Sequence, residues 1–183
     1  MNAASYDLNR CQLVVRLFMA LRLWPTLFVA AGLLTIETSD QVLQAQEANL
    51  ILALAGRWTG TGTMIPASGP SETFKCVVTY FPTENGSRLK QNLRCDSASY
   101  RFDGATQLQI AAGKITGSWH DKVYSLDGTV SGTVTASGFL LALTGKPFDA
   151  NMTVESSSCQ QSISIVPEIG SPIKKLSAVL KKC

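Results

Sequence analysis

Polar and apolar residues alternate one by one through most of this chain. The clearest run is residues 126 to 136, where Leu126, Gly128, Val130, Gly132, Val134 and Ala136 alternate with Asp127, Thr129, Ser131, Thr133 and Thr135. A period of two puts one set on a dry face and the other on a wet face of a β-strand. Similar runs cover residues 53–65, 72–81, 88–95, 97–103, 106–111, 114–121, 139–145, 148–155, 159–166 and 173–180, separated by Gly, Pro, Asn and Ser. No amphipathic helical period interrupts them. About ten strands joined by short turns predict an all-β, antiparallel meander, either closed as a barrel or folded as a sandwich.

One hairpin is specified down to its register. Cys76 and Cys95 are equally far from Asn85-Gly86, so they face each other if these residues form the turn. A four-residue loop, Glu84 to Ser87, closed by Thr83 opposite Arg88, puts even positions of the first strand at non-hydrogen-bonded sites. Pro82 then loses no ladder bond. The same register sets Val78 opposite Leu93 and Tyr80 opposite Gln91, with Phe74, Val78, Leu89 and Leu93 on one face.

The start of the chain has a different character. Residues 23–36 form an apolar run, preceded by Arg10, Arg16 and Arg22 and followed by polar residues and a small-residue cleavage position at Ala45. This is the pattern of a signal peptide over 1–45, with 46–183 as a single β-barrel domain. The run is shorter than the roughly 20 residues of a spanning helix and has Pro25 near its start, so a cleaved leader is favoured over a retained anchor and no stable membrane span is expected in the mature form. Initiation at Met19 would give a more compact leader and the same domain.

Cleavage there removes Cys11 and leaves Cys76, Cys95, Cys159 and Cys183. Four cysteines allow three pairings. Since Cys159 and Cys183 are also symmetric about a turn, Gly170-Ser171-Pro172, two local cross-strand bridges are expected, 76 with 95 and 159 with 183. Such bridges persist in a periplasmic or secreted protein. Spacings this long lack the close pairs of zinc sites, and His120 is the single histidine, so no metal is expected.

Charge adds little. Sixteen basic and 13 acidic residues give a formal charge of +3, and the basic residues are scattered, which argues against nucleic acid as a partner. The cluster Lys174, Lys175, Lys181 and Lys182 reads as a solvated strand edge, the alternative being an anion or membrane patch. Alternation points His120 outward, away from Trp119. Asp103, Asp121, Asp127 and Asp149 are expected on turns or the wet face. No nucleophile elbow or acid/base pair is found, so no enzyme and no cofactor are expected. Asn85-Gly-Ser and Asn151-Met-Thr match glycosylation sequons, which chance also supplies.

The strongest motif is Gly56-Arg57-Trp58-Thr59-Gly60-Thr61-Gly62. It resembles the G-x-W opening of lipocalins and their calycin relatives, in which the Trp closes one end of an up-and-down barrel and a basic residue from the last strand covers it. The resemblance implies that the meander closes as a lipocalin-like barrel, with Trp58 as its plug and Lys174, Lys175 or Lys181 as the cover. The later T-D-Y and Arg motifs of lipocalins are missing. The longer G-x-W-x-G-x-G form is similar to nitrobindin-like haem barrels, but those use a histidine on a late strand and none follows His120. The mature chain also resembles a family of small exported bacterial proteins with paired cysteines.

Gly60, Gly62, Gly117, Gly128 and Gly132 share a face with large apolar residues. Either they permit the bends and close approaches of a small barrel, or they leave a cavity lined by Tyr80, Tyr100, Phe102, Trp119 and Phe139. The sequence therefore points to an exported non-enzymatic binding protein for a small hydrophobic ligand. The alternative is a protease inhibitor or another protein-contact module of the cell envelope, because exported inhibitor barrels resemble this chain in their opening, their stapled hairpin and a protruding N-terminal segment, here Gln46 to Leu54.

Overall fold

The structure is a computed structural model that describes residues 38–146 and 149–183. The expected leader falls almost entirely outside the described residues, as do the alternative start at Met19, Cys11 and Phe148, the first residue of one expected strand. A helix, α1 (Thr38–Ala53), leads into ten strands: β1 (Gly56–Pro66), β2 (Glu72–Thr83), β3 (Arg88–Asp96), β4 (Arg101–Ala111), β5 (Lys114–Asp121), β6 (Leu126–Val134), β7 (Gly138–Gly145), β8 (Ala150–Ser156), β9 (Gln160–Pro167) and β10 (Ile173–Lys181). Each strand pairs antiparallel with the next, and β1 also pairs with β10, which closes the sheet into a barrel. Closure leaves no strand edge to be blunted, so the terminal lysines flank a paired strand rather than an edge.

Two expected runs, 97–103 and 106–111, are one strand. Gly104, which reads as a break, stays in the ladder between Leu93 on β3 and Asp121 on β5. The hairpin register is as the pattern predicts: Thr83 opposite Arg88, Tyr80 opposite Gln91, Val78 opposite Leu93 and Cys76 opposite Cys95. Its loop contains a 3-10 turn, Glu84–Gly86, with Asn85 at φ 54°, a left-handed conformation that asparagine tolerates better than most residues. Both disulfides form, Cys76–Cys95 with Cα atoms 4.1 Å apart and Cys159–Cys183 with 5.3 Å. The first distance fits the closer, non-hydrogen-bonded kind of cross-strand pair.

Helix α1 corrects the expectation that nothing after the leader is helical and that a strand begins at Ala53. Its residues, TSDQVLQAQEANLILA, are mostly good helix formers. Among its described side chains only the C-terminal half offers a packed face: Ile51 and Leu54 are buried and Leu50 packs beside them, whereas Val42 and Leu43 are exposed. Because so few turns dock, the apolar residues show no sustained period of 3.6. Gly56 follows at φ 102° and turns the chain into β1.

Candidate functional site

Antiparallel order places the turns after β2, β4, β6 and β8 at the same end of the barrel as the start of β1 and the finish of β10. Helix α1 is fastened to this end from several sides. Glu47 Oε2 accepts the Gly113 N–H at 2.8 Å, in the turn between β4 and β5. Ala48 packs on Gly86 of the β2–β3 turn so closely that a side-chain carbon there would lie 3.1 Å from its backbone. Trp58, fully buried on β1, donates its indole Nε1–H to the Leu54 carbonyl at 2.7 Å. The Lys182 ammonium lies 5.0 Å from the centre of the Trp58 ring and donates to the Ala53 carbonyl at 2.7 Å. Trp58 thus sits at one end of the barrel under a basic residue.

That residue is Lys182, and none of the three lysines named from the motif. On β10 the inward positions are even: Leu176, Ala178 and Leu180 face Met64, Gly62 and Gly60 of β1. Position 182 continues this parity and lies next to Trp58, whereas Lys181 points outward and Lys174 and Lys175 lie at the far end of the strand. The Cys159–Cys183 bridge and the Lys182 N–H bonded to the Cys159 carbonyl hold this segment down.

Inside, the walls are mostly apolar. Phe74, Val78, Leu108, Val130, Leu141 and Val154 come from five different strands and all belong to one buried cluster. A short polar chain crosses the lumen near the closed end. Tyr80 of β2 donates its hydroxyl to Gln161 Oε1 of β9 at 2.8 Å, past the two intervening strands β1 and β10, and Gln161 donates its Nε2–H to Ser156 Oγ at 2.8 Å. Burial pushes the Tyr80 phenol far above its ordinary range, against the opposing pull of the Gln161 bond. Hydrogen bonding is what makes burial of Gln161 and Tyr80 tolerable.

Space at two of the glycines is taken by neighbouring rings. A side-chain carbon on Gly128 would fall 2.3 Å from Trp119 Nε1, and one on Gly145 2.7 Å from Trp119 Cζ2. The indole of β5 therefore lies in a notch cut by absent side chains on β6 and β7. Phe74 fills the space over Gly62 in the same way, 2.2 Å from such a carbon. Close approach, rather than an empty hollow, accounts for Gly62 and Gly128, and at Gly60, Gly117 and Gly132 the backbone of a neighbouring strand likewise takes the space a side-chain carbon would need.

Of the five aromatic residues expected as lining, Tyr80 and Phe139 are buried and Phe102 and Trp119 pack against the core. Tyr100 does not join them. Ser97 begins a tight turn in which its own N–H bonds the Tyr100 carbonyl and its Oγ accepts the Tyr100 N–H, so the alternation that would carry Tyr100 inward is broken before β4 starts. Its ring is 40 % exposed. His120 lies on the outer face, where its Nδ1 is 2.7 Å from Asp127 Oδ1 on the neighbouring strand. Asp121 is not on the wet face: it is buried, and it accepts the N–H groups of Asp103 and Tyr124. Asn85 is exposed at its turn and Asn151 on the outer face of β8. A groove of about 530 Å³ outside the barrel runs between α1 and the turns after β2 and β4, with Gln41, Gln44 and Asn85 among its lining.

Sequence motifs had missed Gln161 and Lys182. Both were readable from strand parity alone, since Gln161 precedes Ile163 and Ile165 and Lys182 follows Leu180 at steps of two.

No family model matches the chain, and no curated protein matches its sequence. Solved structures do resemble it. Rv2717c from M. tuberculosis superposes with a TM-score of 0.62 at 15 % identity, covering 74 % of this chain and 97 % of that one. The S-type phycobiliprotein lyase CPES from Guillardia theta superposes with a TM-score of 0.55 at 10 % identity, covering 79 % of this chain and 96 % of that one. At such identities the likeness is one of fold, and it fits a lipocalin-like barrel.

Proposed function

We propose that the protein is an exported, non-enzymatic binding protein whose barrel lumen takes a small apolar ligand. The observation that carries this reading is the closed ring of ten strands with apolar walls, shut at one end by Trp58 and α1. Eight strands already enclose a core or one small ligand, and diameter grows with strand number. Apolar walls with a few polar groups, here Tyr80, Gln161 and Ser156, suit a ligand held by burial and oriented by one hydrogen-bonding end.

Two disulfides support a site of action outside the cytosol. Removal of residues 1–45 is compatible with the fold, because the residues that grip the barrel here, Glu47, Ala48 and Ile51 of α1 and Leu54 just after it, follow Ala45. The inhibitor reading loses its main support. Gln46 to Leu54 is no protruding arm but the docked half of a helix.

The test has two arms. Native mass spectrometry of the protein purified from its host envelope reads processing, bridge count and any co-purifying molecule. Titration with an uncharged fluorescent apolar probe is then compared between the wild type and Val130→Trp, which adds bulk to the inner wall. Saturable one-to-one binding that Val130→Trp lowers at least tenfold supports the reading. Probe binding absent from the folded wild type, or equal in both proteins, refutes it.

A further inference from the structure

The end of the barrel opposite α1 presents apolar residues on its turns. It carries the turns after β1, β3, β5, β7 and β9. Tyr100, Val123, Tyr124 and Ile169 occupy three of those turns and are exposed by 40, 43, 46 and 108 %. They stand on turn tips around the mouth rather than on a strand face, and among the described residues no strand covers them.

The charges at this end balance in number but not in pairing: Lys122, Lys146, Lys174, Lys175, Arg94 and Arg101 stand with Glu72, Asp96, Asp103, Asp121, Asp149 and Glu168. Lys146, Lys174 and Lys175 are exposed, and among the described residues no carboxylate lies within 4.0 Å of their ammonium groups. Lys122 stands beside Val123 with only a 4.0 Å approach to Asp103. The acids nearby are engaged with the protein itself. Asp96 binds Arg101 at 2.8 Å, Asp103 pairs with Arg94 at 3.4 Å, Asp149 accepts the Gly145 N–H at 3.0 Å and Glu72 accepts the Ser99 N–H at 2.8 Å. Asp121, buried, accepts two backbone N–H groups. Glu168 is exposed, as are Asp96 and Asp149, and among the described residues no basic group lies within 4.0 Å of its carboxylate.

We propose that this rim docks on an anionic phospholipid surface, with the barrel mouth facing the bilayer. Tyrosines favour the headgroup level, where ring and hydroxyl meet apolar and polar layers together. Aliphatic tips such as Val123 and Ile169 enter the upper acyl region. Unpaired lysines around them meet lipid phosphates, each attraction being worth roughly fivefold in partitioning. A soluble apolar ligand source would need no such rim, and a flat protein partner would be matched by a flat patch rather than by separate tips. The proposal stands on the rim alone and holds whether or not the lumen is loaded.

Hydrogen–deuterium exchange of the full chain on vesicles of phosphatidylcholine with phosphatidylglycerol, against phosphatidylcholine alone, tests it site by site. The apolar run at residues 23–36 can hold the chain on either vesicle, so the location of protection is the readout. Slowed exchange in peptides covering 97–101, 122–126 and 168–173, on anionic vesicles only and weakened at high salt, is expected. Lys174→Ala with Lys175→Ala is expected to lower the anionic partition coefficient at least tenfold, and Tyr124→Ser with Ile169→Ser to abolish the protection, with both disulfides intact by mass. Unchanged exchange at these turns on vesicle-bound protein overturns the proposal. So does protection at the α1 end instead, equal protection on neutral vesicles, or rim protection that rises with protein concentration in the absence of lipid, which would mark a contact between two copies.

Discussion

Replacing Trp58 with Phe tests how the closed end of the barrel is held. The substitution keeps an aromatic ring but removes the indole N–H that meets the Leu54 carbonyl at 2.7 Å. Leu54 is 2 % exposed, so water cannot readily take over. A buried acceptor deprived of its donor costs about 1–3 kcal/mol, and the smaller ring forfeits about 1 kcal/mol of packing at a fully buried site. The expected loss is about 2–4 kcal/mol, a large part of the roughly 5–15 kcal/mol that separates folded from unfolded domains. Urea unfolding followed by near-ultraviolet circular dichroism measures it. The same assay on Lys182→Met and Trp58→Leu, singly and combined, isolates the cation over the ring, for which a coupling of about 0.5–1 kcal/mol is expected. A Trp58→Phe protein within about 0.5 kcal/mol of wild type would place it among ordinary surface changes, and would refute the account of this end.

Four further outcomes follow from other parts of the barrel. Mild reductant is expected to open Cys159–Cys183, whose cysteines are exposed, well before Cys76–Cys95, whose cysteines are each 4 % exposed; timed alkylation and peptide mapping read the order. Cys159→Ser with Cys183→Ser should cost about 2–4 kcal/mol and reduce the Lys182 contact with Trp58, seen as altered tryptophan emission. Gly128→Ala places a carbon 2.0 Å from the Thr144 carbonyl oxygen and 2.3 Å from the Trp119 ring; a loss of about 1–3 kcal/mol in the same urea assay is expected, and a neutral result would show that the notch is not tight. Tyr80 should stay un-ionised in the folded protein above the pH at which a free phenol ionises, read by ultraviolet absorbance. Its folded-state value is raised above that of the unfolded chain, so its contribution is complete below about pH 10 and declines as pH rises further, because the unfolded chain then releases the proton first; stability independent of pH above that point would contradict it.

What could be read without coordinates was what depends on neighbours in the chain. The Cys76–Cys95 register follows from Asn85-Gly86, Pro82 and two alternating runs within twenty residues, and each constrains the same hairpin. Trp58 as a plug came from a motif resemblance. Lys182 was missed in favour of Lys181 because the motif names a residue type near a strand end, whereas strand parity decides which of two adjacent lysines can reach the ring. Helix α1 was hidden because the sequence records only the few apolar residues that dock. Tyr100 looked inward by alternation, but the Ser97 turn resets the chain before β4 begins. The choice of barrel over sandwich lies in the β1–β10 pairing, which joins residues more than a hundred positions apart and leaves no local trace.

That pairing has a consequence for how the chain comes to exist. β1 is made among the first of the barrel strands and its second neighbour, β10, last, so a nascent or translocating chain carries two unpaired backbone ladders until synthesis or passage is nearly complete. Contacts of such high sequence separation form slowly, and waiting strands can pair with the wrong molecule. The protein spends the interval as an open sheet, and that interval, more than the finished cylinder, is where a holdase would have work and where overproduction would meet inclusion bodies.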